Sequence, residues 1–134
     1  MSFREKSAWS MALLMLVTGA TYLMLALRAP QAPVIGVVLP WVLLVILLSI
    51  VTQIVLALSS PKEAQRGADE RERRVVERAG HHSGLVLATG IVCAAGLFIA
   101  NADGSIFFHL TVGALILSHL VEYVLQIAYL RRSF

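Results

Sequence analysis

The sequence predicts an all-α integral membrane protein built as a bundle of four transmembrane helices. Hydrophobic residues make up 58% of the 134 residues and charged residues only 14%, whereas a soluble domain usually carries about 25% charged residues. The apolar residues form four long runs that lack the alternation of barrel strands. Because every backbone N–H and C=O group in lipid needs a partner within the protein, such runs fold as helices.

The four apolar runs are each close to the ~20 residues that cross ~30 Å of hydrocarbon as a helix. They cover residues 9–27, 34–58, 82–100 and 106–130, and the chain 1–134 is predicted to form a single domain. The first run is longer than the roughly 7–15 apolar residues of a secretory signal, so we expect it to remain as the first helix. Cys93 is the only cysteine, which leaves no intrachain disulfide.

Basic residues fall almost entirely on one side of the predicted bundle. Ten of the 11 Lys and Arg residues lie before the first run, after the last run or in the loop 59–81, and only Arg28 lies on the other side. The positive-inside rule then places both termini and this loop in the cytoplasm. Aromatic residues near the ends of the runs, among them Trp9, Trp41 and Tyr129, are expected to anchor the helices at the two membrane interfaces.

The charged loop between the second and third runs is predicted to be helical. Its segment "SPKE", residues 60–63, offers a serine cap, a proline at the first helical position and a glutamate that completes a capping box. Gly67 interrupts this short helix. Asp69 and Glu72 then repeat the capping pattern at the start of a helix that runs directly into the third span.

Acidic and basic side chains nearly balance in this loop. Asp69 and Arg73 are one of two acid-before-base pairs at i,i+4 spacing, which stabilise an exposed helix by ~0.2–0.5 kcal/mol each. A nucleic-acid-binding arm needs an unbalanced positive face, so neither DNA nor RNA is expected to bind. The pattern favours a self-paired helix at the membrane surface, and any partner would be a cytosolic protein or an anionic lipid headgroup. The side chains predicted to make that contact are Arg71, Arg73, Arg74 and Arg78.

Two segments in the second half of the chain carry a family resemblance. The run "DERERRVVERAG" before the third span and the ending "EYVLQIAYLRR" resemble a family of small prokaryotic four-helix membrane proteins of unknown function, the domain of unknown function 2178. In that family an Asp-Glu-Arg segment enters the third helix, and a tyrosine and paired arginines close the fourth. The resemblance implies the four-helix architecture and a place in the plasma (inner) membrane of a prokaryote, and it implies no activity.

Polar residues inside the predicted spans are the main candidates for a functional site, because an ionisable group in a spanning segment costs ~2.5–3.5 kcal/mol. In the fourth run His119, Glu122 and Gln126 share one helical face, with Tyr123 beside them. Polar residues of the second and third runs lie at similar depth, so we expect one polar layer inside the bundle. The predicted intramembrane polar site consists of His119, Glu122, Gln126, Gln53, Thr89 and Tyr123.

This polar layer has two interpretations. The simpler one is a hydrogen-bonded pair of His119 and Glu122 that holds helices together or fixes an interface between copies of the chain. The other is a proton- or cation-linked site of a small oligomeric transporter or channel component. Neither haem nor a metal ion is expected, because the histidines lie at different depths and Glu77, His81 and His82 form too small a set of ligands. No cofactor is predicted.

A stripe of small residues on the third helix predicts close packing against another helix, either in the same chain or in a second copy of a homo-oligomer. Its members are Gly80, Gly84, Ala88 and Ala95. The chain shows no nucleophile–base pair, phosphate-binding glycine loop or metal-ligand spacing, so we do not expect an enzyme. The sequence favours an interaction or regulatory component that acts through helix packing and its cytoplasmic charged helix. A small oligomeric transporter using Glu122 and His119 is the alternative.

Overall fold

The computed structural model describes residues 2–132, which are helical apart from short connections. The helices are α1 (Phe3–Arg28), α2 (Val34–Ser59), α3 (Pro61–Gln65), α4 (Glu70–Asn101) and α5 (Gly104–Arg132). Residues 2–132 contain no strand, which confirms the prediction of an all-α fold. The four long helices α1, α2, α4 and α5 are each long and apolar enough to cross a membrane.

The helices α1 and α4 begin at residues whose polar groups cap them. The Ser2 hydroxyl accepts a hydrogen bond from the Glu5 backbone N–H at 3.2 Å, which caps α1. Asp69 and Glu72 form a capping box at the start of α4, with the Asp69 N–H donating to the Glu72 carboxylate at 3.4 Å. Ser60 precedes α3, but its side chain makes no capping hydrogen bond.

A two-residue turn joins α4 to α5 and makes them antiparallel neighbours. Ala102 ends α4 in the left-handed conformation, with φ of 54°. The Asp103 carboxylate then accepts hydrogen bonds from the backbone N–H groups of Ser105 at 2.9 Å and Ile106 at 3.2 Å. These bonds satisfy two donors at the start of α5 that have no partner within the helix.

The long helices pack in the order α2, α1, α5, α4. The principal contacts join α4 to α5, α1 to α5 and α1 to α2, while α2 and α5 touch only slightly. The main buried cluster lies among α1, α2 and α5 and consists of Tyr22, Val37, Trp41 and Ile116. The arrangement places α5 at the centre and leaves α2 and α4 on its two flanks.

Most large apolar side chains point away from the protein. Leu27 is 72% exposed, Leu58 76% and Ile99 85%, and α2 buries only Val37 and Trp41 within the chain. A soluble monomer rarely exposes such a continuous apolar surface, whereas helices surrounded by lipid have no need to bury it. The exposed apolar side chains are therefore compatible with helices that span a membrane.

Among the glycines of α4, the closest approach to another helix lies outside the small-residue stripe predicted from the sequence. A methyl group added at Gly90 would lie 2.5 Å from the Ala114 Cβ atom of α5, so this is where the two backbones approach. An added Cβ at Gly80 or Gly84 would meet no atom within 4 Å. The rest of the predicted stripe divides, with Ala88 exposed and Ala95 half-buried.

Trp41, which is expected to anchor α2 at a membrane interface, packs inside the protein. It is only 8% exposed, within the buried cluster of α1, α2 and α5. Its indole Nε1–H donates to the Thr18 carbonyl oxygen at 3.0 Å, which satisfies the one polar group of the side chain. Trp9, by contrast, is 45% exposed near the start of α1.

Candidate functional site

The polar residues of α5 pair with each other and with their own backbone. The Gln126 side-chain amide donates to the Glu122 carboxylate at 3.2 Å, so these two predicted site residues meet. His119 instead donates from Nδ1 to the Leu115 carbonyl oxygen one turn earlier, at 2.8 Å. The expected hydrogen bond between His119 and Glu122 is therefore replaced by one between Glu122 and Gln126.

The polar residues of α2 and α4 bind elsewhere. The Gln53 amide donates to the Ser7 hydroxyl of α1 at 2.8 Å. Thr89, on the exposed side of α4, donates to the Leu85 carbonyl oxygen of its own helix at 2.9 Å. Tyr123 is half-buried beside Glu122 in the sequence. Hydrogen bonding thus distributes the predicted layer over three helices instead of joining it into one site.

A second polar cluster lies at the other end of the bundle, near the short turns, and sequence reasoning missed it. The Tyr22 hydroxyl of α1 and the His109 Nδ1 atom of α5 are 2.6 Å apart. The Tyr22 ring also packs against Trp41 of α2, with ring centroids 5.3 Å apart. The available signal was that Tyr22 and His109 lie at similar distances from the turns that end α1 and begin α5. Their pairing connects the three helices of the main core.

A lateral apolar groove of about 800 Å³ lies beside this cluster. It is lined by α1, α4 and α5, and small residues such as Gly19, Gly90 and Gly113 widen it. Cys93 also lines it, as do Tyr22 and His109. Because the lining is almost entirely apolar, the groove suits hydrocarbon or another helix and offers little to a polar substrate.

Ion pairs concentrate at the opposite end, which we call the charged end and which carries residues 2–7, 60–78 and 129–132. Glu5, with its carboxylate largely buried, accepts a hydrogen bond from Arg131 Nε at 3.0 Å. The same guanidinium group lies 5.5 Å from the centre of the Trp9 ring, a cation–π distance. This contact fastens the end of α5 to the start of α1.

Two acidic side chains of the charged loop also form ion pairs with the start of α1. Arg4 Nε lies 3.2 Å from the Glu72 carboxylate of α4. Lys6 Nζ lies 3.4 Å from the Glu63 carboxylate of α3. The only i,i+4 ion pair of the loop among residues 2–132 joins Glu70 to Arg74, at 4.0 Å with both side chains highly exposed. The loop is therefore paired mainly to α1 and only weakly to itself.

These pairings separate the charges of a nearly neutral segment. Glu63 and Glu72 turn toward α1, and the arginines of α4 are left in excess on the other side. That side forms an open cleft of about 950 Å³ between the start of α4 and the end of α5. We call it the basic cleft, and its lining residues are Arg71, Arg74, Val75, Glu77, Arg78, His81, His82, Tyr129 and Arg132.

Among residues 2–132, the basic cleft is lined by four arginines and two histidines and by one acid, Glu77. Within residues 2–132, neither Arg78 nor Arg132 takes part in an ion pair. His82 donates from Nδ1 to the Arg78 carbonyl oxygen at 2.7 Å, and its ring lies edge-on to Tyr129 with centroids 6.5 Å apart. These contacts hold the floor of the cleft in place and leave a concentrated positive charge above it.

The structure distributes the predicted partner contacts unevenly. Arg71, Arg74 and Arg78 line the basic cleft, whereas Arg73 of the same helix does not. The sequence could place all four on one charged helix, but it could not show that the neighbouring acids face away. No group of three or more His, Cys, Asp or Glu side chains within residues 2–132 is arranged to hold a metal ion.

Comparisons of the chain with protein-family models, with curated proteins and with solved structures gave no match. The resemblance to small prokaryotic four-helix membrane proteins stays a prediction. The basic cleft and the lateral groove are therefore the two features from which a function can be argued.

Proposed function

We propose that this chain is a multi-pass protein of a prokaryotic plasma membrane, with both termini and the charged loop in the cytoplasm. In this role it acts as an interaction or regulatory component and binds an anionic partner through the basic cleft. Four spans and the placement of nearly all basic residues at one end support the location and orientation.

The separation of charge at the charged end carries this proposal. In a solvated helix whose charges pair with one another, the acidic side chains would not be expected to lie toward one neighbouring helix. Here Glu72 pairs with Arg4 and Glu63 pairs with Lys6. Of residues 2–132, four arginines and one acid line the opposite side. A cleft of one charge sign attracts partners of the other sign and orients their approach.

Helix packing supports a role in a larger assembly. The lateral groove is bordered by Gly19, Gly90 and Gly113. Small residues on an open helix face permit another helix to approach closely. We therefore propose a homo-oligomer or a membrane partner as the second part of the function.

Transport through Glu122 and His119 has weaker support. The Glu122 carboxylate accepts a hydrogen bond from Gln126 of the same helix, and His119 donates one to the Leu115 carbonyl oxygen of that helix. A relay needs groups that face each other across helices, so that a proton or cation can pass between them.

Site-specific photocrosslinking in intact cells tests the interaction role. A photoreactive benzoylphenylalanine in place of Glu77 lies in the basic cleft and keeps every arginine, and the matched control replaces exposed Gln65 of α3. We expect discrete adducts, with a protein or with a lipid, from position 77 only, and their loss when Arg78→Glu is added. Equal labelling from both positions, or no discrete adduct from position 77, would refute the proposal.

A further inference from the structure

We propose that the basic cleft binds the phosphate headgroup of an anionic phospholipid from the membrane that surrounds the protein. This inference rests on the proposed function, because it requires that the charged end lie at the membrane surface. It names the chemical class of the anionic partner and identifies Arg78 and Arg132 as its principal contacts.

The chemistry of the cleft suits a phosphate group. Guanidinium groups present paired N–H donors that match two oxygens of a phosphate, and they retain their charge when partly desolvated. Arg78 from α4 and Arg132 from α5 approach the same cleft from different helices, and neither has an acidic partner within residues 2–132. Two histidines add further donors on the α4 side.

The level of the cleft matches that of a headgroup. On α4 it ends at His82, and the helix continues with Leu85 and other apolar side chains into the predicted span. On α5 it contains Tyr129, the last aromatic residue before the terminal arginines. Tyrosine prefers the boundary between water and hydrocarbon, so the cleft lies where phosphates of the lipid layer are found.

An apolar track continues from the cleft along the same face of α4. Positions seven residues apart are displaced by only ~20° around an α-helix, so Arg78, Leu85 and Val92 lie nearly in line. Leu85 is 57% exposed and Val92 70% exposed. At 1.5 Å per residue, they lie ~10 and ~20 Å beyond Arg78, where the acyl chains of a lipid bound by its phosphate would run.

This continuity favours a lipid over a soluble anion or an acidic protein. A soluble anionic partner would contact the arginines but would not contact the apolar side chains that follow them along α4. A lipid uses both, and basic pockets between helices at the cytoplasmic side are a recognised site for anionic headgroups.

Binding to lipids of defined charge tests the inference. The full-length protein in mixed micelles is titrated with phosphatidylglycerol or with phosphatidylcholine, and retained lipid is counted by native mass spectrometry. The test variant is Arg78→Gln/Arg132→Gln. The control is Arg73→Gln, which removes one arginine charge from exposed α4 outside the cleft and is compared with the loss per arginine in the double variant. A third arm adds inorganic phosphate as a competitor.

We expect one tightly retained phosphatidylglycerol, with phosphatidylcholine bound at least tenfold more weakly. Each cleft arginine contributes about fivefold in affinity near an anionic lipid surface, equivalent to ~1 kcal/mol, so the double variant should weaken binding about 25-fold. Arg73→Gln should change it less than about twofold, and millimolar phosphate should not displace the lipid. Equal binding of both lipids, or equal losses in the double variant and Arg73→Gln, would overturn the lipid assignment.

The two proposals fail in distinguishable ways. If lipid retention shows no charge preference while position 77 still gives protein adducts in cells, the interaction role stands and the lipid inference falls. If free phosphate displaces the lipid efficiently, the cleft binds soluble phosphate instead of a headgroup, and the inference is again wrong. If neither lipid preference nor adducts are found, both proposals fail.

Discussion

Replacing Gly90 by alanine is expected to force α4 away from α5. The added Cβ atom would lie 2.5 Å from the Ala114 Cβ atom and 3.5 Å from the Ala114 Cα atom. Two carbon atoms without a bond between them are most stable at ~3.5–4.0 Å, so the helices must separate locally by ~1 Å. Neither methyl group can rotate out of the way, because the backbone fixes both Cβ positions.

The cost of this separation follows from the packing of α4. Its main neighbour within the chain is α5, so no other contact compensates for the loss. Overpacking of this kind typically costs ~1–3 kcal/mol, and we expect Gly90→Ala to reduce the free energy of unfolding by that amount. Gly19→Ala should also be destabilising, because its added Cβ atom would lie 2.7 Å from the Cγ2 atom of Ile116, a buried β-branched side chain whose χ1 angle is restricted in a helix.

Reversible denaturation in detergent micelles, followed by circular dichroism, measures the effect. The control is Gly84→Ala, where an added Cβ meets no atom within 4 Å and the higher helix propensity of alanine should preserve or raise stability. The double variant Gly90→Ala/Ala114→Gly moves the methyl group to the other helix and should recover most of the loss. If Gly90→Ala and Gly84→Ala are equally stable, or the exchange recovers nothing, the close approach of α4 and α5 is refuted.

Three further predictions concern polar contacts. Tyr22→Phe should lower stability by ~1–3 kcal/mol because the His109 nitrogen loses its partner inside the protein, whereas Tyr22→Phe/His109→Phe should cost less than the sum of the two single changes, as measured by the same denaturation. Glu5→Gln should cost ~0.2–1 kcal/mol by weakening the contact with Arg131, and the difference from wild type should shrink in high salt. Glu122→Gln should leave phosphatidylglycerol binding unchanged, and proteoliposomes that contain the variant should show the same proton flux as those with the wild type. A flux that is lost with Glu122 would support the transporter alternative.

The sequence was sufficient to predict an all-α chain with four long apolar helices, since these follow from run length alone. The capping box formed by Asp69 and Glu72 could also be predicted from the sequence, because it depends on two residues that are three positions apart. Which faces of the helices contact each other could not be predicted from the sequence. In a soluble helix the apolar stripe marks the buried face, but in lipid an apolar side chain is equally well accommodated outside the protein. The runs are apolar all round, so nothing distinguished Gly90 from Gly84 as the contact glycine.

The polar site failed to assemble as predicted for a related reason. Depth along a helix can be estimated from the number of residues, and His119, Glu122 and Gln53 do lie toward the charged halves of their helices. Rotation about the helix axis and the choice of neighbour depend on packing, which depth does not determine. Gln53 therefore found Ser7 of α1 as its partner, while His119 could satisfy its Nδ1 donor within its own helix.

A nearly neutral charge count does not imply a neutral surface. The loop was expected to pair its own charges at i,i+4, but such pairs contribute little when both side chains are exposed, as at Glu70 and Arg74. The basic residues at the start of α1 offer a better arrangement, because Arg4 is half-shielded beside Glu72 and brings two helices together. Glu63 and Glu72, which are drawn toward α1, do not line the basic cleft. The positive field of the basic cleft is thus a consequence of how α1 is fastened to the charged end, and Arg4→Gln should weaken anion binding in the cleft by releasing Glu72 toward the α4 arginines.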